Sequence, residues 1–238
     1  DRGSFKMDQA VQLEAISASG WLSLQPEPFK KAVLARARLV TFSAGDAAYN
    51  IEDEPGGIFG VVSGSFHVSL ATPDGSLRLA HIVRPGVWFG EGPLLVGGRR
   101  FMSVTSAELS TALHLPLVAV AELRSKNVLA DRAIGSLAEF NIRISITAVG
   151  DLLIPKSDRR IAAVLLRITD VLQGAVPSDP AGFVLTQAQL AQMANVSRHL
   201  VNQTLGWFER QGWVRVSYNR IAIVDAESLS KFVAKGEQ

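Results

Sequence analysis

The chain contains no cysteine among its 238 residues. Without cysteine it cannot form disulfide bonds, use a thiolate nucleophile, ligate zinc through sulfur or hold a conventional iron–sulfur cluster. It also lacks an apolar run of 18 or more residues, and no basic stretch followed by an apolar signal core opens it. The sequence therefore predicts neither a membrane span nor secretion, and we expect a cytoplasmic protein without a membrane partner.

Charge is modest in amount and unevenly placed. The formal net charge is only +2, with 14 basic and 15 acidic side chains in residues 1–155 but 10 and 7 in residues 156–238. Hydrophobic residues make up 47% of the chain, which is enough to build one large domain or two small ones. A modestly basic C-terminal part fits a nucleic-acid partner.

Residues 39–116 have the pattern of short strands. Segments rich in Val, Leu, Phe and Ser alternate with turn signals such as Pro73-Asp74-Gly75 and Pro85-Gly86. Many short strands at such spacing predict a closed or rolled antiparallel sheet.

The next region is free of proline from Leu117 to Ile154, and its composition favours a helix. A helix of about 30 residues would be roughly 45 Å long, too long to be covered by a small roll. A second copy packed along it would cover the rest, so we predict a homodimer; the alternative is an amphipathic helix lying on its own domain. Steps of three and four predict the dimer seam at Ile134, Leu137, Asn141, Ile144 and Ala148.

Residues 185–214, LTQAQLAQMANVSRHLVNQTLGWFERQGWV, predict two short helices joined by a tight turn. Thr186 and Gln189 form a capping box that opens the first helix. Asn195 stands where the turn needs a left-handed residue, and Ser197 is a natural N-cap for the second helix. The segment from Gly174 to Gly182 before it is rich in Pro, Gly and Ser and predicts an exposed connection.

The second helix of the pair has a polar face concentrated at its amino end. Long donor-rich side chains of this kind can reach base edges in the major groove, and we predict base contacts from Arg198, His199, Asn202 and Gln203. Behind this helix a hairpin turning at Tyr218-Asn219 predicts a wing, which places Arg215 and Arg220 near phosphates. The alternative is a pair of structural helices with a solvated polar face.

These segments together resemble the Crp/Fnr family of bacterial transcription regulators. The helix pair is similar to the family's winged helix–turn–helix. The segments FSAGDAAY (42–49), IFGVVSG (58–64) and RPGVWFGE (84–91) are similar to motifs of its sensory β-roll, in the family's order. The resemblance implies an α+β fold with three parts: a cyclic-nucleotide-binding-like β-roll (7–118), a long dimerisation helix with a hinge (119–154), and a winged helix–turn–helix domain (155–238).

The resemblance also implies a function. The family works as a homodimer that binds a palindromic operator on double-stranded DNA under the control of a signal sensed by the β-roll. The sequence predicts contacts to the DNA backbone from Thr186, Ser197, Arg215 and Arg220, and RNA polymerase is an expected further partner. No catalytic residue, cofactor or metal is predicted.

The effector pocket departs from the pattern of the cyclic-nucleotide-responsive relatives. Gly90, Glu91 and Arg100 match the residues that hold the ribose and the phosphate, but Phe101 and Met102 replace a hydroxyl and a small residue. Pro93 lacks a backbone N–H, and of the hydroxyl pair on the long helix only Ser145 remains, since Ile146 replaces the other. Each lost hydrogen bond to a charged group costs about 1.5–3 kcal/mol. We therefore expect an effector other than cyclic AMP, and its identity stays unknown.

Three alternative hypotheses concern haem binding, metal-dependent catalysis and ligand binding without DNA binding. Haem could be ligated by His67, His81 or His114, although isolated histidines on strands are more often structural or surface groups. A cupin-like metal-dependent enzyme would need two or three histidines and a carboxylate converging on one ion, and the sequence shows no such array. A ligand-binding module without DNA binding is opposed by the polar face that begins at Arg198.

Overall fold

The computed structural model describes residues 16–126, 128–169 and 182–235, so most of the predicted connection 174–182 lies outside the described residues. The chain divides into two compact units, one of Asp1–Leu70 with Ile82–Arg143 and one of Ala71–His81 with Ile144–Gln238. The division falls inside the long helix and not after it, and our domain boundaries at 118 and 154 stay a prediction. None of the described helices combines the length and the apolar character that a bilayer crossing requires.

Two four-stranded antiparallel sheets form the predicted β-roll. One sheet has the order β1-β8-β3-β6 and the other β2-β7-β4-β5. Register is fixed by long ladders, of which the β1–β8 pairing runs from Arg38↔His114 to Phe42↔Ser110. The strands are β1 (Arg38–Phe42), β2 (Ala47–Tyr49), β3 (Gly57–Ser63), β4 (Phe66–Ala71), β5 (Leu77–Val83), β6 (Trp88–Phe89), β7 (Ser103–Ser106) and β8 (Ser110–Pro116).

The period-two alternation of β8 separates two cores. Ala112 joins a cluster built around Phe42, Phe59 and Phe66, whereas Leu113 and Leu115 face a second cluster made with helices. Most aromatic rings of the first cluster meet edge to face or tilted, as with Phe42 and Phe66 at 5.2 Å between centroids, while Phe59 and Phe89 are stacked at 5.5 Å. The sheet is therefore buried on both faces.

The helices of the first unit pack on the second cluster. They are α1 (Gly20–Ser23), α2 (Glu27–Leu34), α3 (Gly92–Val96), α4 (Leu117–Lys126) and α5 (Val128–Leu152), and α5 continues into the second unit. The buried Trp21 anchors α1 to α5, because its indole N–H donates to the carbonyl of Ala133 at 3.0 Å and to the hydroxyl of Ser136 at 2.9 Å.

The structure contradicts part of our predicted dimer seam, whereas Ile144 and Ala148, which are half-buried, stay a prediction. Ile134 and Leu137 have no exposed surface and belong to the core of their own unit, and Asn141 donates to the carbonyl of Trp88 at 3.0 Å. A neighbouring ridge of α5 is exposed instead, with Ile142, Ile146 and Val149 as its apolar members. Both ridges satisfy helical spacing, and only the packing of the roll decides which one is covered.

The second unit contains the predicted winged helix–turn–helix. Its elements are α6 (Ser157–Ile168), β9 (Phe183–Val184), α7 (Gln187–Ala194), α8 (Arg198–Arg210), β10 (Val214–Ser217), β11 (Arg220–Ile223) and α9 (Ala226–Ala234). β10 and β11 form the expected hairpin, and β9 adds a third strand that we did not predict. The core of the helix pair includes Leu190, Val201, Leu205 and Phe208, all almost fully buried.

The turn between α7 and α8 forms as the residue types indicate. The hydroxyl of Thr186 accepts from the backbone N–H of Gln189, whose side chain accepts from the backbone N–H of Thr186, which confirms the capping box. Asn195 is left-handed with φ 50° and ψ 55°, and the hydroxyl of Ser197 caps α8 by accepting from the N–H of Leu200. The wing turns at Asn219, which also has a positive φ of 53°.

Candidate nucleic-acid interface and effector pocket

The amino end of α8 presents an exposed polar face. Arg198, His199, Asn202 and Gln203 are all exposed, while Val201, Thr204 and Leu205 on the opposite face are buried. Within the part of the chain that the structure describes, the side chains of Arg198, His199 and Gln203 make no hydrogen bond or ion pair. Their donors and acceptors are therefore free to meet base edges.

One member of this face is held by its neighbour helix. The side-chain amide of Asn202 donates to the amide oxygen of Gln187 on α7 at 3.2 Å. Since the bond uses one N–H of Asn202, its carbonyl oxygen and second N–H stay available. Asn202 is consequently the most oriented side chain of the four.

The four residues that are predicted to contact the DNA backbone differ in their surroundings. Thr186 and Ser197 use their hydroxyl oxygens as cap acceptors, which leaves each O–H able to donate to a phosphate. Arg215 is exposed on β10. Arg220 is half-buried and donates to the carbonyl of Gly182 at 2.8 Å, so part of its donor capacity is already used inside the unit. All four assignments stay predictions.

The predicted effector pocket is organised around a buried arginine. Arg100 is 2% exposed, its Nη1 donates to the carbonyl of Gly90 at 2.6 Å, and its Nη2 donates to the carbonyl of Gly57 at 2.8 Å. Its guanidinium also lies 4.1 Å from the ring centre of Tyr49. Burial lowers the pKa of Arg100 and raises that of Tyr49. The guanidinium is thus bound to its own protein at both terminal nitrogens.

Glu91 completes this buried polar group. Burial raises the pKa of its carboxyl, and hydrogen bonds from Asn141 and from backbone N–H groups, with the charge of Arg100, act in the opposite direction. Asn141, which sequence spacing assigned to a dimer seam, therefore connects α5 to the pocket of its own unit. Spacing along a helix carries no signal for a partner on a distant strand.

The other residues predicted for the effector pocket lie in different surroundings. Phe101 is 60% exposed, and its ring lies where a side chain at Gly92 would stand, 2.7 Å from an ideal Cβ. Gly90 has φ 99°, a conformation that favours glycine. Ser145 is exposed on α5 in the second unit, whereas Gly90, Glu91, Arg100 and Phe101 belong to the first, so its role stays a prediction.

The histidines weighed as haem ligands have local partners. His114 stacks on Phe59 at 4.6 Å between ring centres, and one ring nitrogen meets the carbonyl of Gly56 at 3.2 Å. Nδ1 of His81 accepts from Arg167 at 2.8 Å. Burial lowers the pKa of His67 and of His114. Among the described residues, no three His, Asp or Glu side chains come together as a metal site.

Family comparisons match both units. Residues 39–127 match the cyclic nucleotide-binding domain, and residues 159–232 match the Crp-like helix-turn-helix domain. The chain belongs to the Crp/Fnr family. The α+β fold that the sequence predicted, with a β-roll, a long helix and a winged helix–turn–helix, is confirmed, and the protein is a DNA-binding transcription regulator of the Crp type.

Individual relatives agree with this placement. The chain is 27% identical over 200 residues to the CRP-like cAMP-activated global transcriptional regulator of Mycobacterium tuberculosis, covering 81% of this chain and 86% of that protein. It is 26% identical over 195 residues to the transcriptional regulator SdrP of Thermus thermophilus, covering 81% and 92%. The structure of FixK2 from Bradyrhizobium japonicum shares the fold, with a TM-score of 0.71, 14% identity and coverage of 84% and 99%.

The bonds of Arg100 predict a stability effect that needs no ligand. Arg100→Met removes the donors to two buried carbonyls and the charge beside Glu91, so we expect the free energy of unfolding to fall by about 2–4 kcal/mol. Arg99→Met is the matched control, because Arg99 is exposed and pairs with the exposed Glu54. Urea denaturation of both variants measures the difference, and equal stabilities of the two would contradict a structural role for Arg100.

Proposed function

We propose that the protein acts as a homodimer that binds a palindromic operator in double-stranded DNA, and that a signal other than cyclic AMP controls it through the β-roll. The exposed polar face of α8, beginning at Arg198, is the observation that carries the DNA-reading part. An arginine at this place can bind the O6 and N7 atoms of guanine with two hydrogen bonds. RNA polymerase as a further partner stays a prediction.

A heptad pattern on the exposed ridge of α5 supports the homodimer. Val128, Gly135, Ile142 and Val149 are spaced by seven residues, and Ile146, four residues after Ile142, occupies the second seam position. Leu153, just past the end of α5, follows Ile146 by seven residues. The apolar members of this ridge are at least half exposed, and Gly135 has open space where a side chain would stand. A parallel second copy of α5 would cover these residues in the manner of a coiled coil.

The internal bonds of Arg100 support an effector other than cyclic AMP. A phosphate bound to the two terminal nitrogens of Arg100 would have to replace the carbonyls of Gly57 and Gly90. The hydroxyl residue that helps to hold the phosphate in responsive relatives is replaced here by Phe101. The Nε of Arg100 is buried and meets no acceptor among the described residues, so a ligand that offers one hydrogen-bond acceptor at this nitrogen is compatible with the two existing bonds.

Operator selection tests the DNA-reading part. Sites selected from random double-stranded DNA should share an inverted repeat, with half-sites about one helical turn apart. We expect Arg198→Ala to weaken binding to the selected site by about 1–3 kcal/mol and to relax the preference for guanine at one position. Arg210→Ala is the matched control, because Arg210 is exposed at the other end of α8. Uniform weakening over all sequences would instead make Arg198 a phosphate contact.

The homodimer has its own test. Ile146→Asp places a charge at the centre of the exposed ridge, and we expect the dimer to weaken about a hundredfold or more because a buried unpaired charge is costly. Leu129→Asp is the control, since Leu129 is 57% exposed and lies on a different face of α5. Analytical ultracentrifugation measures both. A dimer that withstands Ile146→Asp but dissociates with Leu129→Asp would place the interface on the other face.

Calorimetry tests the effector assignment. We expect no binding of cyclic AMP to the purified protein at micromolar concentrations, because two or three lost hydrogen bonds of about 1.5–3 kcal/mol each remove most of the affinity. The double variant Phe101→Ser, Met102→Ala restores a hydroxyl and a small residue beside Arg100 and should bind more tightly than the native chain. Submicromolar binding by the native chain would make cyclic AMP the effector.

A further inference from the structure

The segment that joins α5 to α6 is held by an arginine of α6. Nη1 of Arg160 donates to the carbonyl of Ile154 in this segment at 2.6 Å, and its Nε donates to the carbonyl of Ala194 at 2.6 Å. Ala194 is the last residue of α7 and precedes the left-handed Asn195. One guanidinium therefore joins the hinge to the turn of the helix–turn–helix.

A second arginine of α6 reaches back to the end of α5. Nε of Arg167 donates to Oδ2 of Asp151 at 2.6 Å, and the two side chains are only 4% and 8% exposed. Nη1 of the same guanidinium donates to Nδ1 of His81 on β5 at 2.8 Å. Burial raises the pKa of Asp151 while Arg167 acts to lower it, so the carboxylate depends on this partner. All of these residues lie in the second unit.

The two arginines restrain a short connection between the helices. Only residues 153–156 separate α5 from α6. The N–H groups of Leu153 and Ile154 donate back to carbonyls of α5, and the carbonyl of Lys156 accepts from the N–H of Arg160 on α6. A guanidinium presents its donors in a rigid plane, so simultaneous bonds to two elements fix their relative angle. Arg160 and Arg167 sit seven residues apart on one helix and hold it at two points.

We propose that Arg160 and Arg167 are positioning residues that set the angle between the end of α5 and the helix–turn–helix, and thereby the half-site separation that the dimer accepts. The inference rests on the proposed function, since separation has meaning only for two copies on one operator. Each added base pair moves a half-site by about 3.4 Å and turns it by about 35°, so a rigid pair discriminates strongly between neighbouring separations.

Operators with altered spacing provide the first test. Binding of the full-length chain is measured on the selected operator with its half-sites moved apart or together by single base pairs, and on one isolated half-site. We expect the native chain to prefer one separation about a hundredfold, and Arg160→Lys, Arg167→Lys and Asp151→Asn to reduce that preference to less than about tenfold. Isolated half-site binding should stay within about twofold, because the face of α8 is unchanged.

Arg159→Lys is the matched control. Arg159 neighbours Arg160 on α6 but lies against the ring of Phe232, 5.8 Å away, and should keep the spacing preference of the native chain. If the lysine variants lose affinity equally on every separation and on the half-site, the arginines only stabilise the fold and the proposal is wrong. Selection that yields no repeated site would contradict the proposed function instead.

A distance measurement tests the same arginines without DNA. Spin labels are attached at Gly150→Cys on α5 and Tyr218→Cys on the wing, and the cysteine-free native sequence supplies no competing thiol. A Cβ at Gly150 meets no atom within 4 Å, and Tyr218 is 91% exposed, so both labels are tolerated. A large excess of unlabelled chain keeps one labelled copy in each dimer.

We expect a narrow distance distribution in the native chain and after Arg159→Lys. Arg160→Lys and Arg167→Lys should broaden it, because lysine keeps the charge but has all its donors on one nitrogen and lacks the rigid plane that spans the two acceptors. Equally narrow distributions in all variants would overturn the proposal whatever the DNA result is.

Discussion

The helix α5 is under two demands that a single apolar stripe cannot meet. Its inner ridge, with Ile134 and Leu137, packs against the roll, because the sheet face that presents Leu113 and Leu115 would otherwise be open to water. Its outer ridge, with Ile142 and Ile146, then remains apolar and exposed along the same helix. A helix with apolar residues on two faces is stable only if both faces are covered. The β-roll, the proposed dimer and the attachment of the DNA-binding unit all depend on this one element.

Local signals in the sequence determined much of the DNA-binding unit. The capping box at Thr186, the left-handed Asn195 and the cap at Ser197 depend on atoms within a few residues of one another, so residue type and spacing were sufficient. The roll was predictable in kind for a similar reason, since strands of period two and turn residues such as Pro73-Asp74-Gly75 are local features. The strand β9 escaped prediction because two residues, Phe183 and Val184, carry no period.

Contacts between distant residues could not be predicted in the same way. Sequence spacing selected Asn141 as a seam residue, but its partners Trp88 and Glu91 lie some fifty positions earlier in the chain. Arg100 matched a phosphate-binding position by resemblance, yet its donors are used by Gly57 and Gly90. Buried polar groups must find partners, and the choice among many acceptors is made by tertiary packing. A motif therefore locates a pocket more reliably than it states what the pocket holds.

The arginines of this chain differ in whether the N–H donors of the guanidinium group are bonded within the protein. Arg100, Arg160 and Arg167 each make hydrogen bonds to two parts of the protein, and in every case one of these partners lies far away in the sequence. Such a guanidinium is fixed, so it can transmit the position of one element to another, but it has less capacity left for a ligand. Arg198 is the opposite case, because its side chain is exposed and makes no bond among the described residues. Only an arginine with unused donors can read a base, and it reads with precision only if others hold its helix. The division between fixed and unused guanidinium groups is thus the physical basis for assigning recognition to α8 and orientation to α6.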